Sequence, residues 1–127
     1  MTIILNGKEL ALQAEDDFKK RVSLIKNKSG IIPILATILV GNDPASETYV
    51  KMKGNACERI GMKSMKIELP QTTSTDDLLR TIQNLNNNEE VSGILLQHPT
   101  PSQINERLCF DAIKINKDDK CEYCRKL

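Results

Sequence analysis

The sequence lacks an excess of charge of either sign: 18 lysines and arginines stand against 17 aspartates and glutamates, a formal net charge of +1. Such a chain has no global field to gather polyanions, which excludes nucleic acid as an expected partner. Long hydrophobic runs are missing too, and none approaches the roughly 20 residues needed to cross a bilayer. Met1 to Leu12 shows neither a basic leader nor a small-residue cleavage site, so a soluble, cytoplasmic protein with no membrane partner is expected. Histidine occurs once, as His98, with no cysteine or acidic residue at ligand spacing beside it, and no metal site is expected. The four cysteines, Cys57, Cys109, Cys121 and Cys124, are too sparse and uneven to staple a secreted mini-domain and read as reduced thiols. Cys121 and Cys124 form a lone CxxC; a zinc module needs a second ligand pair, and a redox pair normally opens a helix after a strand, so an incidental tail is the preferred reading.

What is present is a 127-residue chain with 39% apolar residues, the size of one domain with a modest core. Ala11, Ala14, Phe18, Val22 and Ile25 recur at steps of three and four, predicting an amphipathic helix from about Lys8 to Lys26. Asn27 to Gly30 stops it, and Ile31 to Val40 is a nearly unbroken apolar run suited to a strand buried on both faces. Asp43 can cap the next helix with Pro44 in its first position, and Gly61 ends it after Ile60. Met65, Ile67 and Leu69 alternate with polar residues as in a half-exposed strand near a sheet edge. Ser74 with Asp77 resembles a capping arrangement for a helix whose stripe is Leu78, Leu79, Ile82 and Leu85, ending at the polar Asn86-Asn87-Asn88. Val91 to Leu96 reads as a short buried strand, and Ser102 can cap a last helix to about Ile113 with Ile104 and Leu108 as its inward pair. This alternation predicts an α/β fold: a small three-layer domain with a mostly parallel sheet and helices on both faces.

In such a sheet ligands collect outside the carboxyl ends of the strands, which directs attention to Gly41–Lys53 and Gln97–Pro101. Tyr49 and Lys53 are four residues apart and share one helix face. They are either ordinary helix surface, the lysine stem packing on the ring, or a working pair. A lysine amine takes and gives protons near neutral pH where desolvation or a nearby cation disfavours its charge, and a strand-end crevice supplies such a place. Gln97-His98-Pro99-Thr100-Pro101 follows directly, a rigid polar corner with two prolines. Gln97 carries a donor and an acceptor; it either satisfies loop backbone or holds a lysine amine or a ligand amide.

Together the segments AlaSerGluThrTyrValLysMetLys, continuing to AlaCysGluArgIleGly, and GlyIleLeuLeuGlnHisProThrPro resemble the bifunctional methylenetetrahydrofolate dehydrogenase and methenyltetrahydrofolate cyclohydrolase family, over roughly Leu10 to Asp118. The family pattern ASxxYVxxKxxAC is followed by GxxxQxPxP, and both occur here in order. The resemblance implies that Lys53 is the catalytic lysine, that Tyr49 packs on the aminobenzoyl part of the folate, and that Gln97 hydrogen-bonds Lys53. Leu96, Gln97 and His98 would line the folate site. A third family motif, KDVDG, begins at Lys117-Asp118 and then departs: Lys120 stands at its second aspartate, and Asp119 substitutes only after a shift of one residue. The resemblance thus implies a folate-binding catalytic domain over residues 1–118, a divergent tail over 119–127, and tetrahydrofolate derivatives as substrates. NADP or NAD would serve the full-length family enzyme on a dinucleotide-binding domain whose glycine-rich turn this sequence lacks, so no cofactor is expected on this chain alone. Hydrolysis of the methenyl group is then the expected activity, a homodimer the expected assembly, and a truncated, inactive folate-binding or association fragment the alternative.

Overall fold

The computed structural model describes residues 6–114 together with residue 117. The element order is α1 (Gly7–Ser29), β1 (Ile34–Val40), α2 (Pro44–Ile60), β2 (Lys63–Leu69), α3 (Thr75–Asn87), β3 (Gly93–Leu96) and α4 (Glu106–Ala112). The three strands form one sheet in the order β2-β1-β3. Both pairings are parallel, with Ile34 opposite Lys63 and Leu35 opposite Gly93. Parallel neighbours require a crossover, and α2 and α3 supply the two. β1 is central and buried from Ala36 to Val40, as its unbroken apolar run requires, whereas β2 and β3 are the outer strands of the described sheet and β2 alternates in exposure.

Paired residues of a parallel ladder share a face, so the register sorts the layers. Ala36, Ile38, Val40, Ile94 and Leu96 meet Leu78, Ile82, Leu85, Ile104, Cys109 and Ile113 in one apolar cluster, flanked by Met65, Ile67 and Leu69. Each fully buried Ile or Leu here contributes about 1.5–3 kcal/mol by burial. The opposite face carries Leu35, Thr37 and Leu39 of β1 and is covered by α2, whose Gly54 packs against Ser64 of β2. Helices therefore lie on both faces, and α1 forms an outer element against the end of α2, with Val22 beside Gly61 and Arg59 bonded to Glu15.

The caps follow the sequence. Asp43 accepts from the Ser46 amide with Pro44 at the start of α2, and Ser74 accepts from the Asp77 amide at the start of α3. Gly30 and Gly61 close α1 and α2 at φ 71° and 90°, a left-handed conformation in which a Cβ is strained.

Several expectations are corrected. Only Val22 of the expected α1 stripe is buried; Ala11, Ala14, Phe18 and Ile25 are exposed, because α1 touches α2 near one end and no other described element covers the rest. β1 begins at Ile34 rather than Ile31, since Gly30 turns the chain outward and Pro33 has no amide hydrogen for a ladder. β3 begins at Gly93; Val91 is buried, but its amide bonds back to the Asn88 carbonyl in a turn. α3 runs on through Asn87 and not only to the start of the polar Asn86-Asn87-Asn88 exit: Asn86 is inside the helix and buried, its amide donating to the Ala112 carbonyl at 2.7 Å and its oxygen accepting from the Lys114 amide at 3.0 Å.

α4 starts at Glu106 under an Asn105 cap, not at Ser102. Gln103 explains this, since its side-chain amide donates to the Gln71 and Thr73 carbonyls while the Asn105 amide donates to Thr75, pinning the segment to the start of α3 before the helix can begin. The later start turns Leu108 outward at 52% exposure and makes Cys109, at 0%, the inward partner of Ile104.

Candidate functional site

The carboxyl ends of β1 and β3 lie side by side, and the chain leaves each through a short polar segment. After β1, Gly41 takes φ 92° and bonds to the Leu69 carbonyl, allowing Asp43 to cap α2 at once. That cap fixes the start of the helix and therefore where Tyr49 and Lys53 project. After β3, the Gln97 amide still donates to the Ile38 carbonyl at 3.0 Å, so Gln97 extends the ladder by one residue and its side chain falls on the α2 face.

Lys53 and Gln97, 44 residues apart in sequence, meet there: the Lys53 Nζ donates to the Gln97 Oε1 at 3.1 Å. The Gln97 Nε2 donates to the His98 carbonyl at 3.0 Å, which decides which end of the amide faces the lysine. Gln97 is buried at 8% exposure and Lys53 half-buried, so the amine is held against the end of β3 and not on open helix surface. Tyr49 is 56% exposed, one turn before Lys53. Leu96 is buried at 1% in the apolar cluster on the other face, so its side chain points away from Lys53 and Gln97. Asp119, Lys120, Cys121 and Cys124 lie outside the described residues.

Sequence reading missed Glu106. The His98 Nδ1 lies 2.8 and 3.0 Å from its two carboxylate oxygens, and Thr100 donates to Oε1 through both its amide and its hydroxyl at 2.7 Å. Burial pushes the Glu106 carboxyl up, but the bonds from Thr100 and the His98 ring outweigh it and hold the group below its ordinary value. A carboxylate accepts only, so the His98 Nδ1 carries the hydrogen. A second unforeseen feature is Thr37, 1% exposed, whose hydroxyl has no hydrogen-bond partner among the described residues. Burial pushes the Cys57 and Cys109 thiols up, and the Glu106 charge adds to this at Cys109, leaving both poor nucleophiles.

The turn from β1 to α2 is not one that seats a dinucleotide. Pyrophosphate binding needs a glycine-rich turn with free amides at a helix start, but the turn from β1 to α2 has Gly41 alone and its helix start is already taken by the Asp43 carboxylate. Among the described residues no group of three or more histidine, cysteine or acidic side chains is arranged to hold a metal. No described helix is long and apolar enough to cross a membrane.

Comparison with known proteins gives the family. Residues 5–119 match the family described as tetrahydrofolate dehydrogenase/cyclohydrolase, catalytic domain. The chain is similar to the bifunctional protein FolD of Teredinibacter turnerae, 66% identical over 116 residues that make up 91% of this chain and 41% of that protein. Its fold superimposes on the FolD methylenetetrahydrofolate dehydrogenase/cyclohydrolase of Campylobacter jejuni with a TM-score of 0.86 at 41% identity, covering 88% of this chain and 39% of the other. The Trypanosoma brucei FolD enzyme, solved with NADP and an inhibitor, gives 0.86 at 29% identity over 92% of this chain and 40% of that one. The chain thus spans about two fifths of the length of the relatives it matches. That match, nearly the whole of this chain on the catalytic part of longer relatives, places it in the tetrahydrofolate dehydrogenase/cyclohydrolase family, of which it is a catalytic domain.

Proposed function

We propose that this chain binds tetrahydrofolate derivatives and hydrolyses methenyltetrahydrofolate to formyltetrahydrofolate, as the catalytic part of a methylenetetrahydrofolate dehydrogenase/cyclohydrolase. The observation that carries this is the Lys53–Gln97 pair at the carboxyl ends of β1 and β3, on residues that match the family's two motifs. The methenyl substrate is a cation. As water forms its bond to the methenyl carbon, one of its protons passes to the Lys53 amine and on to solvent. The substrate's charge disfavours a second charge on the amine beside it, which suits the lysine to accept that proton. The new hydroxyl then gives its proton to the ring nitrogen as the carbon–nitrogen bond breaks, so that cation and water become a neutral formyl product and one released proton. Gln97 holds the amine in place, Tyr49 offers an exposed ring for the aminobenzoyl part, and His98 with the Leu96 backbone borders the folate. In the same reading Asp119 takes the pterin.

Oxidation of methylenetetrahydrofolate, the dehydrogenase half of the family's chemistry, needs NADP or NAD, which we assign to residues beyond this chain because the β1–α2 turn does not suit it. We place the chemistry in the cytoplasm, in keeping with the free, buried Cys57 and Cys109. A homodimer is proposed from the exposed Leu10, Phe18 and Leu24 of α1; sedimentation that stays monomeric at high concentration would remove it.

The test is loss of methenyltetrahydrofolate absorbance with the purified chain, against the spontaneous rate in the same buffer. Acceleration that Lys53→Ala reduces by about 10²–10⁴-fold is expected, the usual contribution of a positioned acid–base group. An unaltered rate in Lys53→Ala removes the role of the lysine. No acceleration by the wild-type chain, with folate still bound in a titration, replaces the enzyme by a folate-binding fragment.

A further inference from the structure

In the motif GxxxQxPxP the two positions left open between glutamine and the prolines are occupied here by His98 and Thr100, and both bond to the same carboxylate, that of Glu106. Pro99 and Pro101 have no amide hydrogen, so the Thr100 amide is the one backbone donor of the segment 99–101, and it goes to Glu106 at 2.7 Å. Among the described residues the carboxylate accepts from three groups: the Thr100 amide, the Thr100 hydroxyl and the His98 ring.

Glu106 is itself firmly placed. It is the first residue of α4, whose Cys109 is fully buried in the apolar cluster and whose Asn105 cap is tied to Thr75. The same corner supplies the His98 carbonyl that accepts from the Gln97 side chain, and the other end of that amide holds Lys53. A rigid anchor in the core is thereby connected, through one loop, to the orientation of a catalytic amine.

We propose that Glu106 is a positioning residue for the Lys53–Gln97 pair, acting through the His98–Thr100 corner. If the corner relaxes, the His98 carbonyl shifts and the Gln97 amide is free to rotate. Rotation presents an NH₂ group to the Lys53 Nζ in place of the oxygen that accepts from it. The bonds around Glu106 are charge-assisted and short, the class of contact that fixes geometry most firmly. This inference rests on the proposed reading of the site for its catalytic consequence but not for its structural one.

Two readouts keep these apart. The first is the side-chain amide signal of Gln97 in a ¹⁵N-labelled chain, identified by its loss in Gln97→Ala. The second is the steady-state rate of methenyltetrahydrofolate hydrolysis. Glu106→Ala is expected to move the Gln97 signal to that of a freely solvated glutamine and to lower kcat by about 10–100-fold, the scale of a misplacement near 1 Å, with KM changed less than about 2-fold. Glu106→Gln keeps an oxygen for Thr100 and is expected to retain the wild-type Gln97 signal and most of kcat. Thr100→Val removes one bond and is expected to move the same signal in the same direction, less far; if Glu106→Ala does not fold, this variant decides the matter. A Gln97 signal that stays at its wild-type position in folded Glu106→Ala, or in Thr100→Val, overturns the proposal, as does failure of Glu106→Gln to rescue. A Gln97 signal that follows Glu106 in a chain that does not accelerate hydrolysis upholds the positioning and overturns the proposed function.

Discussion

On one face of the sheet Ala36, Ile38, Val40, Ile94 and Leu96 pack in an apolar cluster with side chains of α3, α4 and the segments beside them; on the other, Leu35, Thr37, Leu39 and Leu95 lie beneath α2 together with the buried Gln97 and the half-buried Lys53. The first face is closed and uniform. The second buries a hydroxyl that has no partner among the described residues, and has as its outer element α1, whose Leu10, Phe18 and Leu24 are exposed. The two sides of one three-stranded sheet thus differ in make-up, and substitutions on them should be told apart by what they change.

The largest effect on folding belongs to the closed face. Ile82→Ala, at a fully buried position, should lower unfolding stability by about 2–5 kcal/mol through lost burial and the cavity left behind, read by denaturant titration. A loss below about 1 kcal/mol would mean that this face is not the close-packed side. Thr37→Val makes the reverse change on the α2 face. Removing a buried hydroxyl that has no partner among the described residues should raise stability by about 1 kcal/mol. A loss of stability would show that the hydroxyl is bonded, and the contrast between the faces would narrow.

The third prediction concerns pH at the carboxyl end of the sheet. Glu106 is held below its ordinary value in the folded chain, so it contributes stability above the usual carboxylate range, and that contribution is lost as the pH falls through the lowered value. Glu106→Gln should remove this part of the acid-side slope in a series of melts from neutral to acid pH; an unchanged slope would reject it. The smallest effect is expected at α1, where Leu24→Gln at 57% exposure should change monomer stability by no more than about 0.5 kcal/mol. A larger loss would show that the outer helix is covered in solution.

The elements closest to local rules were legible before the fold was seen. Asp43 before Pro44, Ser74 before Asp77, and Gly30 and Gly61 after apolar periodicity fix helix ends through contacts within four residues, and each stands where it was expected. The apolar run of β1 and the alternation of β2 likewise reported a central and an edge strand. The α4 start was misplaced because Ser102 and Asn105 are equally good caps, and what chose between them was Gln103 bonding to Gln71 and Thr73. The α1 stripe was real as a period but said nothing about whether another element would cover it.

By itself, then, the sequence determined the α/β order, the position of Tyr49 and Lys53 on one helix face, and through two motifs the family to which the chain belongs. Periodicity, caps and motifs act over a few residues and are written directly in the chain. The tertiary structure closes across 44 residues the Lys53–Gln97 contact that the resemblance implied, and it alone decided that Gln97 faces α2 while Leu96 faces the core, and that one carboxylate from α4 gathers His98 and Thr100. Those contacts depend on which strands lie side by side and in what register, and that is settled by burial of the whole sheet and not by any local stretch of it.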